Sequence, residues 1–226
     1  MAKGQKSVNM TQGTIWKQLV LFAVPLLAGN LFQQLYSIAD SAIAGKFAGE
    51  DALAAIGASY PITMIFMAVA VGSNVGCAVV ISQYFGAKNF MKVKTSATTT
   101  LIASTAVALI LTLFGIVFCT PLLNMVNTPS DIFGDSAVYL NIYTLGLVFL
   151  FVYNVCTGIF TSLGDSKTPL IFLIGSSVGN VVLDLLFVAV FEWGVSGAAW
   201  ATFIAQGVSC ILSVMVILKK LKEIKT

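Results

Sequence analysis

Two carboxylates stand inside otherwise apolar stretches of the chain. Asp40 lies near the end of the first stretch, and Asp184 has sixteen uncharged residues before it and seven after it. An ionised aspartate at the centre of a bilayer costs about 2.5–3.5 kcal/mol on insertion scales. No lysine within the apolar stretches is placed to neutralise either one. The physical outcomes are a bound proton, a bound cation, or exposure to a water-filled cavity. Each points towards movement of ions or solutes. Asp40 also admits an interfacial position, because Ser41, Gly45 and Lys46 follow it closely.

Polar side chains recur at helical spacing around these two. Ser177, Asn180 and Asp184 fall at i, i+3 and i+7, and Thr202, Gln206 and Ser209 at i, i+4 and i+7. Gln33, Tyr36 or Ser37, and Asp40 form a similar stripe, as do Asn154, Thr157 and Thr161. One such stripe reads as hydrogen-bonding glue between membrane helices. Several of them together with two carboxylates point to a lined cavity. Carboxylate, amide and hydroxyl oxygens suit a hard cation such as Na⁺ by ligand type, by analogy with Ca²⁺ and Mg²⁺.

Other chemistries are excluded. The chain has no histidine, hence no histidine base, metal ligand or pH switch. Cys77, Cys119, Cys156 and Cys210 form no C-x-x-C pair and read as small hydrophobes packed between helices. An intramembrane aspartyl protease would use two aspartates sharing one proton, set in Y-D and G-x-G-D motifs. Here Asp40 follows Ala39 and Asp184 sits in V-L-D-L, so the expectation is no enzyme.

The elements that must position these groups are membrane helices. Of the 226 residues only 9% are charged, against roughly 25% in soluble domains. Uncharged stretches run over 18–39, 52–87, 95–130, 136–164, 168–183 (continuing past Asp184 to 191) and 193–218. A spanning helix needs about 20 apolar residues, so the fold class is all-α, a polytopic bundle of six transmembrane helices over residues 14–218. Residues 1–13 precede it and a basic tail, 219–226, follows. The third helix is expected to end near Cys119. The second is open to running long, with Gly72, Ser73, Asn74 and Gly76 as a flexible or polar mid-segment. Thr168 is the expected N-cap of the fifth helix with Pro169 at its first position, and Pro25 should bend the first.

Orientation follows from the lysines, since there is no arginine. Eleven of the twelve fall in alternate connections and at the two ends, and only Lys46 falls on the other side, near Glu50, Asp51, Asp131, Asp135 and Glu192. The positive-inside rule then places both termini in the cytoplasm of a multi-pass protein of the cell membrane. A bacterial membrane is the expected setting. The net charge of +3 is thus a topology signal and not a nucleic-acid footprint.

The run from Trp16 to Pro61, WKQLVLFAVPLLAGNLFQQLYSIADSAIAGKFAGEDALAAIGASYP, resembles the opening two helices of the multidrug and toxic compound extrusion (MATE) transporters. GNVVLDLLFV around Asn180 and Asp184, and GVSGAAWATFIAQ around Thr202, resemble that family's fifth and sixth helices, and SLGDSKTP its fourth connection. The resemblance implies two six-helix bundles around a central cavity, exporting drugs or organic cations against inward H⁺ or Na⁺, with no cofactor beyond that coupling ion. It implies a cation-coupling site, with Na⁺ as one occupant, at Asp40, Asn180, Asp184 and Thr202. Gln33, Tyr36, Asn154 and Gln206 would line the cavity beside it, with Pro25 as the bending point. The expected pocket has Asp40 and Asp184 facing one another, completed by Asn180 and Thr202.

Members of that family have twelve helices, and this chain matches the N-terminal six. The expectation is a fragment whose basic end is the start of an inter-lobe linker; a half-size protein pairing with a second chain is the alternative. A flippase for lipid-linked saccharides, of the same superfamily, would carry a basic cavity for diphosphate, and the spans here hold no arginine and no central lysine. An accessory membrane protein without transport of its own is the third reading.

Overall fold

The structure, a computed structural model of the chain, describes residues 14–223. The segment 1–13 with Lys3 and Lys6, and Lys225 in the tail, lie outside the described residues. Helix α1 covers Ile15–Ile43 and passes without a break through Pro25, then ends in a π turn, Ala44–Ala48. Gly49 reverses the chain at φ +96°, a conformation that glycine reaches without steric cost. There follow α2 (Glu50–Gly86), α3 (Phe90–Val117), a short α4 (Cys119–Met125), α5 (Ser130–Leu145) and α6 (Leu147–Ser162). Helix α7 (Lys167–Asp184) runs directly into a second π turn, Leu185–Val190, and α8 covers Gly194–Glu223. Among the described residues five of these are long and apolar enough to cross a membrane, and the bent pair α5–α6, taken as one span, brings the number to six. The protein is an all-helical membrane protein.

Two expectations are corrected, and one alternative is decided. The fourth stretch is not one helix: α5 and α6 meet at Gly146 with a bend of 46°. A break leaves a carbonyl without its intrahelical donor, and in a membrane that group needs a partner. Thr112 Oγ1 of α3 donates to Thr144 O at 3.2 Å. The second stretch does run long: α2 is one continuous helix of 37 residues, with the polar group Gly72, Ser73, Asn74 and Gly76 inside it. Asn74 packs over Gly158 of α6, where any Cβ would collide with its amide. Finally, α7 opens at Lys167, so Thr168 is its second residue and Pro169 its third. Asp165 supplies the cap, accepting from Thr168 N at 3.0 Å and from its hydroxyl at 2.7 Å. Pro169 is still tolerated, because the first four N–H groups of a helix have no internal partner.

Helices α2, α3, α6 and α8 enclose the main core, centred on Ile81, Val93, Val155, Ile159, Phe160 and Ile217. Close approach is bought with small residues, as is usual between membrane helices. Ser136 Oγ donates to Ala55 O at 3.2 Å and Ser162 Oγ to Ala78 O at 3.0 Å, fastening α5 and α6 to α2. Helix α1 is the least embedded span and packs chiefly along α7.

Candidate functional site

The packing of α1 on α7 decides the site. Both helices end in π turns, and each aspartate lies in the last α-helical turn before one: Asp40 ahead of Ala44–Ala48, Asp184 immediately ahead of Leu185–Val190. A π turn shifts the helical phase and is frequent at functional positions. On α7, Ser177, Asn180 and Asp184 are all buried, Asn180 at 2% and Asp184 at 1% exposure. The stripe read from their spacing is therefore the inward face of that helix.

The two carboxyl groups lie close enough to act on one another. Asn180 Nδ2 donates to Thr202 Oγ1 at 3.3 Å, which joins α7 to α8. Tyr36 of α1 lies near Thr202 and both aspartates. Asp40, Asn180, Asp184 and Thr202 are thus brought together, with Tyr36 beside them. Four oxygens in this cluster are buried without a donor among the described residues: Asp40 Oδ1, Asn180 Oδ1, and both Asp184 oxygens. Ionised carboxylates only accept hydrogen bonds, and buried acceptors left without donors are costly. The donor set therefore fits a small hard cation or a proton, either of which would satisfy several acceptors at once.

The other candidates are placed differently. Gln206 lies one turn from Thr202 and lines a small cleft of about 10 Å³ with Tyr139, Tyr143 and Phe203, close to the least space that holds one water. Gln33 is exposed, away from the cluster. Asn154 is half-buried on α6 and spends Nδ2 on Leu150 O of its own helix at 2.8 Å. Tyr139 of α5 interacts with both Asp40 and Asp184 and was missed in the sequence. Its spacing of four residues from Tyr143 was the available signal, but the carboxylate one turn before it on α5, Asp135, is exposed and did not single it out.

A family model described as MatE matches residues 25–186. The probable multidrug resistance protein YpnP of Bacillus subtilis is 32% identical over 214 residues, which cover 95% of this chain and 48% of that protein. The probable multidrug resistance protein NorM of Thermotoga maritima is 26% identical, covering 91% and 45%. Among solved structures, a MOP superfamily transporter from Pyrococcus furiosus superposes with a TM-score of 0.90 at 26% identity, covering 97% of this chain and 48% of that one. A MATE structure in complex with MaD3S gives 0.89 at 25% identity, covering 99% and 52%. The chain spans about half the length of the curated relatives it matches.

Proposed function

Because the chain belongs to the MatE family, we propose that it is the N-terminal lobe of a secondary transporter exporting drugs or organic cations against inward H⁺ or Na⁺. The observation that carries the reading is the cluster of four donorless buried oxygens around Asp40 and Asp184. The names of the relatives, multidrug resistance and export proteins, support the substrate class. Both termini face the cytoplasm in this reading, as the lysine distribution favours, and the missing partner is a second six-helix lobe or chain.

The coupling ion binds between α1 and α7. Occupied, the site holds the two carboxyls together; empty, two like charges meet in a low-dielectric interior and repel. The ion therefore has different affinities for α1 docked and α1 displaced, which is the condition for coupling. Pro25 deprives the Leu21 carbonyl of its helical donor and makes α1 the helix that bends. A lone lobe supplies half of a midplane cavity, so the chain without its partner exports nothing.

The test uses the chain reconstituted with a second lobe in proteoliposomes. Asp184→Asn removes the charge with little change of volume. It should insert and fold normally while losing export driven by a H⁺ or Na⁺ gradient. Asp40→Asn should do the same, and the double variant should be no worse than either. Wild-type export by Asp184→Asn at every pH would end the proposal.

A further inference from the structure

Away from the aspartates, α2 and α3 part to leave a cavity of about 540 Å³. Its floor on α2 is Gly72 and Gly76, one turn apart, and a Cβ built on either meets nothing within 4 Å. Its α3 wall carries the hydroxyls of Ser96, Thr99, Thr100 and Ser104. Ser104 is 5% exposed, yet among the described residues none of these four hydroxyls has a hydrogen-bond partner, whereas Thr95 and Thr105 bond back to their own helix. Hydroxyls gathered on one face of a membrane helix ordinarily meet another polar group.

The end of the cavity is cationic. Lys92 lies one turn from Ser96 on the same face of α3, and its Nζ sits 5.2 Å from the ring centroid of Tyr84, one turn beyond the lining residue Val80 on α2, so it bridges the two helices one turn past the lining. Lys88 and Lys94 flank it, and the sequence has no carboxylate between Asp51 and Asp131. Basic pockets between membrane helices bind anionic lipid headgroups.

We propose that the α2–α3 groove holds one anionic phospholipid, its phosphate at Lys92, its glycerol esters on the α3 hydroxyls, and an acyl chain over Gly72 and Gly76. The uncompensated lysine at the mouth favours this occupant over a further apolar helix, which would leave the charge unmatched. The site is separate from the aspartate cluster and stands whether or not the chain transports.

The purified chain in detergent is titrated with phosphatidylglycerol or with phosphatidylcholine of the same acyl chains, and retained lipid is counted by native mass spectrometry. One phosphatidylglycerol should be held at least about tenfold more tightly than its zwitterionic counterpart, a difference of about 1.4 kcal/mol. Lys92→Gln should abolish that preference, while Lys219→Gln, an exposed lysine at the end of α8, should leave it intact. Gly76→Leu, which fills the trough, should lower retention of both lipids. A readout without substitution is maleimide labelling of Cys77, which lines the groove while the other three cysteines are buried. Phosphatidylglycerol should slow it severalfold in the wild type but not in Lys92→Gln. Equal retention of the two lipids, an unchanged preference in Lys92→Gln, or crosslinking from Thr99→Cys into a second polypeptide in place of lipid would each overturn the proposal.

Discussion

Lys220 Nζ lies 2.6 Å from Asp165 Oδ2, so the last turns of α8 are fastened to the loop that opens α7. The same Nζ is 5.5 Å from the ring centroid of Phe160, a member of the main core. Burial alone would push the Asp165 carboxyl up, but the hydrogen bonds from Lys220 and Thr168 and the lysine's charge outweigh it and hold it below the ordinary 3.8.

The stability that follows has a definite pH window. A carboxyl whose folded value is depressed contributes in full above its unfolded value and loses the contribution as pH falls through the folded one. Thermal unfolding in detergent should therefore show the Asp165–Lys220 contribution unchanged at pH 5–8 and fading below about pH 4. A double-mutant cycle of Asp165→Asn and Lys220→Met should give a coupling of about 1 kcal/mol at neutral pH, the upper end for partly exposed pairs.

Thr202 fixes the orientation of Asn180, because the amide nitrogen donates to it while Oδ1 stays buried without a donor among the described residues. Thr202→Val keeps the shape and removes the acceptor. Coupling-ion affinity, measured by the gradient needed for half-maximal export in the two-lobe transporter, should fall about 10-fold or more, as for outer partners of ion ligands. Unaltered affinity would show that the amide is held by something else.

The lysine pattern makes a topology test. Single cysteines placed near Lys92 and Lys222 on a cysteine-free background should label only from the cytoplasm, and those near Asp131 and Glu192 only from outside. Labelling near Lys92 from outside would reverse the assignment.

Gly115 lets α3 approach α5: a Cβ there would come within 2.6 Å of Thr144 Cγ2, whereas one on Gly175 of α7 meets nothing within 4 Å. Gly115→Ala should cost about 1–3 kcal/mol of stability, as overpacking does. Gly175→Ala should leave the unfolding temperature unchanged or slightly raised, since alanine is the better helix former.

The apolar stretches and the inward stripe of α7 were legible because both follow from composition and a period of 3.6 residues. Asp40 and Asp184 could be paired only through the family resemblance, since nothing in spacing brings residues so far apart together. The bend at Gly146 was hidden because the hydroxyl that bonds the nearby Thr144 carbonyl belongs to Thr112, 32 residues away in sequence. The cap of α7 was misplaced because Asp165 was outweighed by the Thr-Pro pair that follows it. The π turns have no compositional mark at all: AGKFA and LLFVAV would serve equally as ordinary helix.

Those π turns also act as slack in the thread of each helix. An α-helix advances 100° per residue, while a stretch with i→i+5 bonding accommodates one residue more per turn. Removing a single residue from Leu185–Val190 would let that turn close as ordinary α-helix and leave the residues after it in phase, displacing only side chains within the turn, the buried Val188 among them. The two π turns touch each other just beyond the aspartates, so the widest turn of each helix is seated on that of the other.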